Sequence, residues 1–204
     1  MTIDEVMTAA PVIPVLVLDG SIDPAALAET LVAAGLPVLE VTLRTPQALD
    51  CIRAMSKVSG AIVGAGTVLN PAQLDQAIEA GSQFIVAPGL TDGLTRAAIA
   101  SGIAYLPGVA TAADIMRGLD HGLSRFKFFP AETSGGLPAL KALAGPFGEV
   151  RFCPTGGITV DNAPNWLAHP AVSCVGGSWI VPAKETDLSR IGRLAKAAAA
   201  LNQG

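Results

Sequence analysis

The chain has 204 residues, 50% of them hydrophobic and 15% charged, with a formal net charge of -4 and no block of Lys or Arg, a balance that argues against a nucleic-acid surface. The longest apolar run near the start, "AAPVIPVLVL", is too short and too proline-broken to cross a bilayer, and the acidic "MTIDE" lacks the basic stretch of a secretion signal, so a cytoplasmic protein with no membrane partner is expected. Cys51, Cys153 and Cys174 have neither C-x-x-C spacing nor a nearby histidine cluster, which points to reduced, buried thiols and away from a disulfide framework or a zinc site.

Apolar runs recur at intervals of roughly 20 to 25 residues, the spacing of strand-plus-helix units. They are "VIPVLVL" (12–18), "PVLEVTL" (37–43), "AIVGAGTV" (61–68), "QFIVAPG" (83–89), "IAYLPGV" (103–109), "RFKFFPA" (125–131), "VRFCPTG" (150–156) and "VSCVGGSWI" (172–180). Helix-start residues follow each run: Asp23-Pro24, Thr45-Pro46, Asn70-Pro71, Thr91-Asp92, Thr111, Gly136, Asp161 and Asp187. Several of these helices stop at glycine, in "VAAG", "IEAG" and "IASG". Eight such units without a linker or composition break predict an α/β protein, one (β/α)8 TIM barrel forming a single domain over residues 1–204. A doubly wound open sheet fits less well, because no G-x-G-x-x-G follows the first strand. Chemistry on a barrel belongs at the carboxyl ends of the strands.

Side chains alternate between the faces of a strand, so in "PVLEVTL" and the residue after it Leu39, Val41 and Leu43 face one way and Glu40, Thr42 and Arg44 the other. With the apolar set toward the helices, Glu40 and Arg44 point inward, where a charge is costly unless it is paired or holds a ligand. An ion pair within the strand is one reading; the other is that Arg44, at the strand end, forks onto a carboxylate ligand. The same alternation in the sixth run turns Phe126 and Phe128 outward and Lys127 and Phe129 inward. Lys57, Lys141, Lys184 and Lys196 fall in helical or terminal segments and read as solvated. An inward lysine is either a structural partner for Glu40 or a nucleophile, since desolvation and a neighbouring cation favour the neutral amine that attacks a ketone. The imine so formed is an electron sink, and a carboxylate beside it can move protons.

The seventh and eighth runs end in double glycine, "CPTGGIT" (153–159) and "CVGGSW" (174–179). Barrels bind substrate phosphate on backbone N–H groups after these strands, and glycine lets the backbone come close. Ser178 can add a hydroxyl or be satisfied by backbone. Thr67 in "GAGTV", Pro88 in "VAPG" and Thr155 also fall at strand ends, whereas His121 and His169 fall in helix-end loops where no catalytic role is expected.

The segments "LEVTLRT", "GAGTV", "FIVAPG", "FKFFPAE", "RFCPTGGI" and "GGSW", in this order and spacing, resemble the 2-keto-3-deoxy-6-phosphogluconate (KDPG) aldolase family, class I lyases of the Entner-Doudoroff pathway, over nearly the whole chain. The resemblance implies Lys127 as the Schiff-base lysine and Glu40 as the carboxylate that transfers protons. It implies Arg44 and Thr67 at the pyruvate carboxylate, Phe129 and Pro88 lining the pyruvate pocket, and Thr155 near the substrate hydroxyls. Gly156, Gly157, Gly176, Gly177 and Ser178 would surround the phosphate of a phosphorylated keto acid. It further implies a barrel that needs no metal or other cofactor and assembles as a homotrimer. Thr155 favours the gluconate substrate over its phosphogalactonate epimer, since the galactonate enzymes tend to carry an apolar residue there. The remaining alternatives are an aldolase for 4-hydroxy-2-oxoglutarate, a phosphate-sugar isomerase or epimerase without a covalent lysine, and a phospho-ligand binding barrel without catalysis.

Overall fold

The computed structural model describes residues 1–201, so the last three residues of the expected 1–204 unit lie outside the described residues. The chain begins with α1 (Ile3–Thr8), which the apolar runs do not announce. Its start is nonetheless written locally: Thr2 and Glu5 form a capping box, each side chain bonding the other's backbone N–H. Strands and helices then alternate through β1 (Val12–Leu16), α2 (Pro24–Ala33), β2 (Val38–Thr42), α3 (Ala48–Met55), β3 (Ile62–Gly66), α4 (Pro71–Glu79), β4 (Phe84–Val86) and α5 (Asp92–Ser101). The order continues with β5 (Ala104–Leu106), β6 (Gly108–Val109), α6 (Ala112–Asp120), β7 (Arg125–Phe128), α7 (Gly136–Ala144), β8 (Arg151–Pro154), α8 (Ala163–Leu167), β9 (Val175–Gly177) and α9 (Leu188–Ala199).

Most helix starts fall where the capping chemistry predicts them: Asp23, Asn70, Thr111 and Asp187 accept bonds from the first-turn N–H groups of α2, α4, α6 and α9. Two start later. Thr45 spends its hydroxyl on the Leu18 carbonyl, and α3 opens three residues on behind Gln47. After Asp161, α8 opens behind Asn162, whose side chain is engaged elsewhere. The glycine stops are present, with Gly35, Gly81 and Gly102 in the left-handed region at φ +94, +99 and +71.

Every ladder is parallel, and the strands form a curled α/β sheet system: a six-stranded sheet in the order β5-β4-β3-β2-β1-β9 and a three-stranded sheet in the order β6-β7-β8. The fifth apolar run therefore yields two short strands where one was expected, with Pro107 between them. Proline has no N–H for a ladder bond, yet its carbonyl accepts from Lys127 N at 2.9 Å. Gly108 follows because a Cβ there would sit 2.2 Å from the Pro88 carbonyl oxygen. Opposite this break, the segments of β8 and β9 meet through isolated bridges outside the strand ladders, Phe152 of β8 with Val172 before β9 and Thr155 after β8 with Gly176 of β9.

Two apolar clusters result. The larger lies between the sheets and the helices and takes Leu39, Val41, Phe126 and Phe128. A smaller one fills the concave side near the amino ends of the strands, with Ile13, Val38, Phe84, Val86, Leu106, Cys153 and Cys174 closed over by Val6 and Met7 of α1. An Asp4–Arg125 ion pair ties α1 to β7. All three cysteines are free and buried. Among the described residues no helix is long and apolar enough to cross a membrane.

Candidate active site

Strand alternation delivers two charges to the concave side above that inner cluster. Lys127 on β7 and Glu40 on β2 are 5% and 3% exposed, and Lys127 Nζ donates to Glu40 Oε1 at 3.0 Å. Two opposite charges this deep are tolerable because each is the other's partner. The pair needs room, and Gly66 on β3 provides it: a Cβ at that position would lie 2.2 Å from Glu40 Oε1. Thr42, the next inward residue on β2, is fully buried and donates to the Leu16 carbonyl at 2.9 Å, so its hydroxyl is spent on structure. The outward phenylalanines behave as the alternation requires: Phe126 packs under Gly118 of α6, and Phe128 lies 6.2 Å from the Trp166 ring of α8.

Beyond the end of β2 the chain turns, and Arg44 stands exposed at the mouth with its Nε donating to Thr67 Oγ1 at 3.2 Å. Thr67 has φ +59, a left-handed backbone that a β-branched residue adopts at a cost of about 1–3 kcal/mol. The surrounding structure holds it there, with its hydroxyl on the guanidinium. Phe129 lies over the lysine, its ring centre 5.3 Å from Lys127 Nζ.

Phe129 also lines a cavity of about 110 Å³ together with Val15, Arg44, Thr155, Gly156, Gly157, Ile158, Gly176 and Ser178. Gly156 and Gly157 have φ +100 and +80, and Gly176 is bare because a Cβ would lie 2.3 Å from Thr155 Oγ1. Thr155 Oγ1 itself makes two long contacts, a 3.4 Å bond to the Cys153 carbonyl and a 3.9 Å contact with Cys153 Sγ. Among the described residues, the N–H groups of Gly156, Gly157 and Ser178 donate to no protein acceptor. Unpaired backbone donors around one cavity suit an anion. A larger neighbouring depression of about 520 Å³ shares Val15, Arg44 and Ser178 with this cavity and adds Asp19, Trp179 and Lys184.

Two of the expected residues have other immediate surroundings. Gly177 lies against Trp179, whose ring occupies the space of a Cβ, and is not part of the cavity wall. Pro88 lines a separate depression of about 160 Å³ with Val68, Leu69, Gly89, Thr91 and Leu94. Val15 and Ile158 line the main cavity without having been singled out; Val15 shares the concave face with Ile13 by strand parity, and Ile158 directly follows the double glycine. Glu132, Asn162 and Trp166 stand behind the glycine turn and carry no sequence periodicity that would expose them.

The histidines sit elsewhere. His121 lies 3.3 Å from Asp92 Oδ1, and His169 Nδ1 accepts from Ala171 N, with burial and then Lys141 drawing its pKa down. A hydrogen bond with Cys153 and full burial push the Cys174 thiol well above its ordinary value, which suits a packing residue. Among the described residues no group of three or more His, Cys, Asp or Glu side chains could hold a metal ion.

Comparison with known proteins identifies the family. The model of the family "KDPG and KHG aldolase" matches residues 3–194. The chain is 60% identical to the 2-dehydro-3-deoxy-phosphogluconate aldolase of Zymomonas mobilis over 201 residues, covering 98% of this chain and 97% of the relative. It is similar, with a TM-score of 0.97 and 60% identity over 99% of this chain and 97% of that one, to a crystal structure of the 2-keto-3-deoxy-6-phosphogluconate aldolase of Zymomonas mobilis ZM4 with 3-phosphoglycerate. It is also similar, with a TM-score of 0.94 and 44% identity over 98% of each chain, to the KDPG aldolase of Legionella pneumophila with pyruvate captured at low pH as a covalent carbinolamine intermediate.

Proposed function

The chain belongs to the KDPG and KHG aldolase family, and from that premise we propose that it is a class I aldolase cleaving 2-dehydro-3-deoxy-6-phosphogluconate to pyruvate and glyceraldehyde 3-phosphate in the Entner-Doudoroff pathway. The observation that carries the reading is the buried 3.0 Å contact between Lys127 Nζ and Glu40 Oε1 beneath Phe129, which itself lines the cavity.

The substrate's ketone is attacked by the Lys127 amine to give a carbinolamine, which loses water to form an imine. Glu40, directly or through water, takes the proton of the C4 hydroxyl as the C3–C4 bond breaks, and the bonding electrons pass into the imine to leave an enamine. Glyceraldehyde 3-phosphate departs, C3 of the enamine is protonated, and hydrolysis frees pyruvate and the lysine. Arg44, at the mouth, and Thr67, bonded to it at 3.2 Å, hold the substrate carboxylate, and Phe129 lines the pyruvate side. Thr155 meets the substrate hydroxyls, a role supported by the weak engagement of its own hydroxyl. The phosphate is received by Gly156, Gly157, Gly176 and Ser178, which line the cavity, supported by the unpaired N–H groups of Gly156, Gly157 and Ser178. The chemistry calls for no cofactor.

The two sheets are read as one closed (β/α)8 barrel in a single domain over residues 1–204, a reading supported by the bridges between β8 and β9 and by the Pro107 carbonyl bonding Lys127 N across the other seam. A homotrimer in the cytoplasm rests on the family resemblance. The family model spans KHG as well as KDPG aldolases, which supports 4-hydroxy-2-oxoglutarate as the alternative substrate of the same lysine.

The deciding experiment is reduction with borohydride in the presence of pyruvate, followed by peptide mapping. A single reduced pyruvate adduct on Lys127 is the expected result, and an unmodified Lys127 overturns the imine mechanism.

A further inference from the structure

We infer that Glu132 is the positioning residue of the phosphate turn Gly156–Gly157, an assignment that rests on the proposed phosphate reading of that turn. Glu132 is exposed, yet its atoms are committed. Its N–H donates to the Gly156 carbonyl at 3.1 Å, and its Oε1 accepts from Trp166 Nε1 at 3.0 Å and from Asn162 Nδ2 at 3.2 Å. The Asn162 amide also donates to the Gly157 carbonyl at 3.1 Å. The side chain covers Gly157 so closely that a Cβ there would lie 2.6 Å from Glu132 Cγ.

The consequence follows from peptide geometry. In a trans peptide the carbonyl and the next N–H point in opposite directions. Three successive carbonyls, those of Thr155, Gly156 and Gly157, are tied to Ala131 N, Glu132 N and Asn162 Nδ2. The N–H groups of Gly156, Gly157 and Ile158 therefore face away from those ties, and these three residues line the cavity. Two consecutive glycines have the largest backbone entropy to lose, so the turn cannot hold this arrangement by its own preference. The Glu132 backbone N–H supplies one of the three ties, and its carboxylate fixes the Asn162 side chain that supplies another, which is the contribution a substitution at 132 removes. Trp166 extends the brace to the strand of the lysine, because its buried ring packs beside Phe128 on β7. Glu132 thus sets where a phosphate sits relative to Lys127 while touching neither.

Steady-state kinetics on 2-dehydro-3-deoxy-6-phosphogluconate and on its dephosphorylated counterpart test this. Glu132→Ala is expected to raise KM for the phosphorylated substrate about ten-fold or more, to change kcat far less, and to lower the preference for the phosphorylated substrate by the same factor. Glu132→Gln, which keeps an oxygen for Trp166 and Asn162, restores most of that preference. Trp166→Phe, which keeps an aromatic ring and loses the N–H together with part of the buried ring volume, shifts the preference in the same direction by less, and it decides the matter if Glu132→Ala does not fold by circular dichroism. A folded Glu132→Ala with wild-type preference, or Glu132→Gln as impaired as Glu132→Ala, overturns the positioning role alone. A wild-type enzyme with no preference for the phosphorylated substrate overturns the phosphate reading itself.

Discussion

Lys127 and Glu40 each spend their buried charge on the other, so removing either leaves the survivor unpaired. Lys127→Ala is expected to abolish cleavage outright. Glu40→Gln keeps the shape and loses the base, and kcat should fall by about 10²–10⁴ while pyruvate can still be trapped on the lysine; both are read from cleavage assays alongside the borohydride adduct. Gly66→Ala tests the geometry while leaving both reacting groups chemically intact. Its Cβ would collide with Glu40 Oε1, so kcat should fall by about ten-fold or more as the carboxylate is displaced, and wild-type turnover in that variant would show that the Glu40 position is not critical. These inward charges are legible from the sequence because a period of two leaves them no other face when their neighbours are apolar. Glu132 is illegible for the complementary reason: an exposed glutamate after "FFPA" breaks no pattern, and its importance lies in bonds to a tryptophan and an asparagine more than 25 residues away.

At the level of the elements, the strands and most helix starts were readable because their causes are local: apolar alternation, prolines after Asp23 and Asn70, side-chain caps at Thr111 and Asp187. The break at Pro107 was not, since only the ladder partners on either side decide that one apolar run serves two sheets. The helix α1 was missed although its capping box stands in the first five residues, because six residues carry too little periodicity to register. Its worth is tertiary. Met7 is fully buried in the inner cluster, and Met7→Ala should cost about 2–5 kcal/mol, measured by urea unfolding. The start of α5 gives a pH-dependent prediction. A hydrogen bond from His121, and after it the charges of Arg117 and Arg96, hold the Asp92 carboxyl below its ordinary value of 3.8. A depressed folded pKa means that the stabilising contribution is complete above 3.8 and is lost as pH falls through the lower folded value. The urea midpoint of Asp92→Asn should therefore lie below that of the wild type near neutral pH, and the gap should close in acid.

For the molecule as a whole, the α/β class and parallel pairing follow from repeated units, whereas the way the ladders divide depends on contacts between residues far apart in the chain. The pairing is uneven. The β2–β3 ladder runs through five registered pairs from Val38↔Ile62 to Thr42↔Gly66, whereas β8 and β9 meet at two isolated bridges. Native-state hydrogen exchange should find the amides of β2 and β3 among the slowest and those of residues 172–177 faster by about ten-fold or more; equal protection at both would mean that closure is as firm as the central ladder.

That division has a bearing on the reacting groups. Glu40 stands on the six-stranded sheet and Lys127 on the three-stranded one, so their contact is a strut thrown across the inside between two bodies whose edges are joined by only a few bonds. Its length registers how those bodies sit against each other, in the way a vernier registers small slips between two scales. A slip of one sheet against the other would change that length before it altered the helices or the ladders themselves.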